Sequence, residues 1–208
     1  MTYGHGMSFR TETCRGDPDH AKRQIRPSPL RLVFTGGVTT DFMWSQYSEA
    51  IATPRVAEAF REGGVTGCKF VPVELENTMG DEVASEFLEL RVVGWGGNAT
   101  ASSGIRVIKE CPHCQRQVFT GYTQPELIFD SSQWDGSDVF LIWPLPRYIL
   151  VTSKVANILE RNRFSGAEVE SLSRLPKTVA GTLTPGHLGD WYEDRRVREI
   201  EAMQTKTK

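Results

Sequence analysis

Cys111-Pro112-His113-Cys114 is the stretch of this chain best suited to chemistry. Two thiols three positions apart, with a proline between them, form a tight knuckle that lets both sulfurs grip one soft cation. Apolar and polar residues alternate through Gly104 to Glu110 before it and Gln115 to Tyr122 after it. That pattern places the knuckle at the tip of a β-hairpin, as in a zinc ribbon. A closed structural zinc site needs four ligands, and the chain has no second CxxC. Cys14 and His20, which share a polar N-terminal stretch, could supply the rest. The candidate metal site is therefore a Cys3His set of Cys14, His20, Cys111 and Cys114 holding one structural zinc. A reduced, metal-free CPHC turn is the competing reading. His113 should point outward from the knuckle, and Cys68 reads as a small buried apolar residue.

Other chemistry finds less support. A redox CxxC places its first cysteine at a helix N-terminus, where the macrodipole lowers the thiol pKa; here the following residues alternate like a strand. There is no Gly-x-Ser-x-Gly elbow, and Gly94-Trp95-Gly96-Gly97 does not make GxGxxG. The four histidines, His5, His20, His113 and His187, suggest no nucleophile–base arrangement, so a non-enzymatic protein is expected.

Charge and hydropathy narrow the partners. Lys and Arg number 24 against 26 Asp and Glu, giving a net charge of −2. That offers no electrostatic reason for nucleic acid as the main partner, because such binding rests on neutralising phosphates. Hydrophobic residues at 39% and charged residues at 24% are ordinary for a globular chain. Apolar runs such as Val139 to Trp143 are far too short to span a membrane, and Met1 to Arg10 carries no secretory pattern. No membrane partner and a cytoplasmic location are expected. Glu74, Glu76, Asp81, Glu82, Glu86 and Glu89 follow one another with no Lys or Arg between them. They form either a solvated face or a docking surface for a cationic partner. Trp95 and Trp134, in Gly/Ser-rich stretches, are candidate interface anchors, whereas Trp44 and Trp143 sit in apolar runs that read as core.

Two segments resemble each other at a constant offset of 99 (143 minus 44): Trp44 matches Trp143, Thr53 matches Thr152, Val56-Ala57 match Val155-Ala156, and Gly67 matches Gly166. Arg55 with Lys154, Phe60 with Leu159 and Thr66 with Ser165 are conservative pairs. Each copy predicts an N-cap, at Thr53 in the first and at Thr152 or Ser153 in the second, an apolar helical stripe, and a left-handed C-cap at Gly63 or Asn162. An extended segment should follow each helix, Lys69 to Glu76 in the first copy and Glu168 to Ser173 in the second. Glu86 to Val93 reads as a strand, Gly94 to Gly104 as a loop, and Asp190 to Met203 as a helix. The expected fold is α+β, with two similar β–loop–α–β modules around a mixed or antiparallel sheet. Residues 1–30 form an irregular arm and 31–203 a single domain with the knuckle hairpin inserted at about 104–122. Residues 204–208 form a frayed tail.

Taken together, these motifs resemble the double-CxxCG immunity-protein family of bacteria, a group of polymorphic-toxin immunity proteins. The resemblance rests on the knuckle, on Asp41-Phe42-Met43-Trp44, on Thr53-Pro54-Arg55-Val56-Ala57 through Gly64-Val65-Thr66-Gly67, and on Asp138-Val139-Phe140 leading to Ser153-Lys154-Val155. The chain departs from the family at Gln115, where a glycine is usual, and at the first motif, reduced to Cys14 with His20 nearby. The resemblance implies a cytosolic protein that binds and neutralises a cognate toxin by occlusion. The alternative is a zinc-ribbon nucleic-acid-binding or regulatory protein, which would use Arg106, Lys109 and Arg116 around the hairpin. A cationic groove beside the knuckle would favour that alternative, and His187 or His20 facing a carboxylate in a cleft would favour catalysis.

Overall fold

The computed structural model describes residues 10–17, 20–25, 29–34, 40–45, 49–77, 86–176 and 181–206. The strands are β1 (Arg10–Thr13), β2 (Ala21–Ile25), β3 (Leu30–Phe34), β4 (Phe42–Trp44), β5 (Ala50–Ala52), β6 (Cys68–Asn77), β7 (Leu88–Val92), β8 (Gly94–Asn98), β9 (Val107–Glu110), β10 (Gln117–Thr120), β11 (Val139–Trp143), β12 (Leu150–Val151) and β13 (Thr182–Leu183). The helices are α1 (Pro54–Glu62), α2 (Ser153–Arg161) and α3 (Asp194–Lys206). The fold is α+β. A five-stranded sheet runs β3-β6-β7-β5-β4 and a three-stranded sheet runs β12-β11-β8. The pairs β3–β6 and β8–β11 are parallel and the other pairs in these sheets antiparallel, so both are mixed.

The repeat is physical. Helices α1 and α2 begin after Thr53 and Thr152 and have nine residues each, at the same offset of 99 (153 minus 54). Each follows an antiparallel pair, β4–β5 or β11–β12. Val56 and Phe60 of α1 and Val155 and Ile158 of α2 enter one core with Leu90, Leu141 and Trp95. Fully burying such a side chain is worth about 1.5–3 kcal/mol. Gly63 lets the helices approach, because a Cβ there would collide with Ile158.

Each module latches the other. The Asp41 carboxylate accepts from the backbone N–H and hydroxyl of Ser165, at 2.9 and 3.0 Å, in the turn after α2. Asp138 accepts from the N–H and hydroxyl of Thr66, at 2.9 and 3.0 Å, in the turn after α1. The Phe42 N–H donates to Ser165 O, and the Val139 N–H donates to Thr66 O. Arg55 then pairs with Asp41 and Lys154 with Asp138. Gly166 and Gly67, with φ of 84° and 82°, let the turns lie against the carbonyls of Phe42 and Val139. By these bonds Phe42 corresponds to Val139, an offset of 97 (139 minus 42), so the ungapped match of Trp44 to Trp143 is corrected by two residues.

Other expectations also need correction. Gly63 and Asn162 are right-handed (φ −74° and −84°), and the left-handed residues are the next ones, Gly64 and Arg163. Residues 94–98 are strand β8: Gly94 and Gly96 are there because a Cβ would strike Val139 O or the Phe140 ring. Trp95 is consequently core, only 2% exposed, in edge contact with Tyr192, while Trp44 is 46% exposed. Residues 168–173 pair in no sheet. The N-terminal arm contains the antiparallel hairpin β1–β2, and α3 runs on through Lys206 rather than fraying from 204.

Burial alone would raise the Asp138 carboxyl, but donation from Lys154, the Thr66 N–H and two threonine hydroxyls outweighs it and holds the pKa below the usual carboxylate value. Asp41 is lowered in the same way, with Arg55 and Ser165 outweighing burial. A carboxyl depressed on folding stabilises fully above its unfolded pKa, about 3.9 for Asp, and loses that contribution as pH falls through the folded value. Asp138→Ala and Asp41→Ala should each destabilise by about 1–2 kcal/mol at neutral pH, because the hydrogen bonds from the opposite turn to a charged carboxylate are lost. In thermal unfolding at pH 7 and near pH 2–3, the deficit of each variant should shrink with acid. An equal deficit at both would contradict the latch.

Candidate metal centre

Two hairpin tips meet at the centre. Strands β1 and β2 pair with Thr13 opposite Ala21, and the turn between them carries Cys14 and His20. The Cys14 N–H reaches His20 O at 3.4 Å. Strands β9 and β10 pair with Glu110 opposite Gln117, and Cys111 and Cys114 occupy their tip. Two bonds close the knuckle, Cys111 N–H to Arg116 O at 2.9 Å and Gln115 N–H to Cys111 O at 2.8 Å. Gln115 sits at φ 60°, the left-handed conformation that glycine adopts at least cost. The knuckle therefore keeps its shape with glutamine at this left-handed position. Gly16 lies under the His113 ring, where any Cβ would collide, so the exposed His113 packs on the opposite tip.

The four expected ligands come together across both tips. Their donor atoms all lie within 4.8 Å of one another. Cys14 Sγ and Cys111 Sγ are 3.8 Å apart, and His20 Nε2 is 3.1 Å from Cys114 Sγ. A tetrahedral ion with metal–sulfur bonds of about 2.3 Å holds its sulfurs about 3.8 Å apart, so the thiol spacing fits. The backbone N–H of Cys114, then that of His113, lower the Cys111 thiol to about 6 against the effect of burial. Burial, then the neighbouring thiols, push Cys114 up despite the Arg116 N–H. Thiols this close repel one another as thiolates unless a cation sits between them. Asp17 is a member that the sequence reading missed. Its Oδ2 lies 3.1 Å from His20 Nδ1, the outer carboxylate that orients a ligating imidazole. Its signal was an acid three residues before the histidine. These residues could bind a metal ion, and three thiols with one imidazole suit a soft one.

Cys68 lies apart at the start of β6, its thiol pushed up to about 11 by burial and then by Asp138. His187 is a cap: its backbone carbonyl accepts from the Asp190 N–H at 2.9 Å, and its backbone N–H donates to Asp190 Oδ2 at 2.7 Å. It lines a cleft of about 1060 Å³ beside the knuckle, whose acidic and basic side chains among the described residues, His187 aside, are Glu110 and Glu201. Trp134 is half-buried, its ring against Phe129 and Phe140. Glu74 and Glu86 are exposed, while Glu89 is buried beside Arg91. The side chains of Glu76, Asp81 and Glu82 lie outside the described residues. Among known proteins, the chain matches no family model and no curated relative. No helix among the described residues is long and apolar enough to cross a membrane.

Metal affinity at such a site is folding free energy. A strong chelator should lower the thermal midpoint of the purified chain, and Cys111→Ser should bring it to the same lowered value with no further response. A midpoint indifferent to the chelator would mean that the tetrad holds no stabilising ion.

Proposed function

We propose that the chain is a non-enzymatic binding protein of the toxin-immunity type, stapled by one structural zinc on Cys14, His20, Cys111 and Cys114 and neutralising its toxin by occlusion. The observation that carries this reading is the joining of two hairpin tips at the tetrad. A site closed by four protein donors leaves no position for a substrate, so its service is to hold a surface in place. That surface includes β9, all of whose residues are exposed, Val107 at 48% and Ile108 at 54%. Apolar side chains on a fixed strand edge suit recognition by another protein. The resemblance to the double-CxxCG immunity proteins supplies the kind of partner, a cytotoxic polypeptide met in the cytoplasm.

Electrostatics favours this reading over the zinc-ribbon nucleic-acid alternative. The cleft beside the knuckle presents Glu110 and Glu201, and Glu74 and Glu86 add exposed acid elsewhere. Acidic surfaces repel phosphates and speed association with basic proteins. Trp134, with Glu76, Asp81 and Glu82, completes the proposed contact set; Trp95 is withdrawn from it because it is core.

The test is co-expression with the polypeptide encoded directly beside this gene. Restored growth and a co-purifying complex are expected, and Val107→Asp with Ile108→Asp should weaken the complex at least about tenfold while the thermal midpoint holds. Toxicity undiminished by this protein, with no complex formed, would refute the proposal.

A further inference from the structure

A second feature lies away from the metal centre. A cavity of about 640 Å³ opens between the two modules, walled by β12, α2 and the irregular segment 167–175. Its lining is mostly apolar, with the aromatic rings of Phe42, Trp44, Phe129, Trp134, Phe140 and Tyr148 among it. Three exposed large hydrophobic residues, Trp44, Tyr148 and Val169, belong to this one opening. The tryptophans are fixed: Trp44 Nε1 donates to Gly166 O at 3.1 Å, and Trp134 Nε1 to Ser137 O at 3.0 Å. With their only polar groups engaged in the wall, both offer apolar ring surface to an occupant. Among the described residues, the charged members of the lining are Glu168 and Glu170, both exposed, with no Lys or Arg.

Volume and lining match a small-molecule site, mostly apolar with a few polar groups. The charge selects the ligand. Aromatic faces attract cations through their quadrupole, and carboxylates at the mouth attract them by charge, whereas both disfavour anions. We propose that this cavity binds an amphiphile with a single apolar chain and a cationic head, the chain lying between the modules and the head at Glu168 and Glu170 beside Trp44 and Tyr148. The site requires neither the metal nor a toxin partner and shares with the proposed contact set only Trp134, which lines its wall.

Three probes with the same tail separate the contributions: octyltrimethylammonium, octyl glucoside and octyl sulfate, each titrated calorimetrically below its micellar concentration. The cation should bind about tenfold or more tighter than the sulfate, with the glucoside between them. Glu168→Gln with Glu170→Gln should remove most of that preference and leave glucoside binding unchanged. Trp44→Ala, at an exposed position, should weaken the cation more than the glucoside. Ala167→Phe should fill the cavity and abolish all three, with thermal unfolding confirming that each variant folds. Equal binding of the three probes, a preference that survives loss of both carboxylates, or no binding at all would overturn the proposal. So would a dimer of the chain that dissociates on Trp44→Ala, because a second copy would then be the occupant.

Discussion

The reciprocal hold of Asp41 on Ser165 and Asp138 on Thr66 is the constraint on which the rest of the fold depends. A β-hairpin followed by a nine-residue helix is marginal alone, because neither element can bury its apolar face within the module. Here each module supplies what the other lacks. The carboxylate that precedes β4 satisfies the turn after α2, the one that precedes β11 satisfies the turn after α1, and Val56 and Val155 meet in the core between them. The Asp41 and Asp138 carboxylates, only 15% and 14% exposed, find their donors in the opposite turn, so the latches favour one docking of the two halves over slipped ones.

The Cys/His tetrad lies at the periphery of that core. The small sheet β13-β10-β9 packs Phe119 against Trp143, and its far tip meets the N-terminal hairpin at the Cys/His cluster and the Gly16–His113 contact. Core packing of Ile105, Phe119 and Tyr122 holds one end of this hairpin, and an ion at the other end would fix its tip as well. Shape would then be conferred twice, by packing within the modules and by coordination outside them.

Much of this was legible in the sequence because local rules carried it. Thr53 and Thr152 mark both helix starts, the alternation around Cys111 and Cys114 marks the hairpin, and the polar stretch at Cys14 and His20 points to the missing donors. The conservative pairs Thr66 with Ser165 and Arg55 with Lys154 proved to be latch residues, although sequence alone gave no reason to join each to the opposite module. What stayed hidden was long-range. Gly94 and Gly96 look like a flexible loop until β11 is seen pressing on them, and Trp95 between them is core for the same reason. Trp44 read as core from its apolar neighbours, but it lies on edge strand β4, where its ring borders an opening. Asp17 had no meaning before His20 was placed.

Native-state hydrogen exchange at the Thr66 and Ser165 amides tests the interlock most directly. If the modules stand or fall together, both amides open with the same free energy, equal to that of the Leu90 and Leu141 amides in the shared core. If Ser165 exchanges at a much lower free energy while Thr66 stays protected, or the reverse, each half holds itself and the reciprocal latch is not the organising interaction.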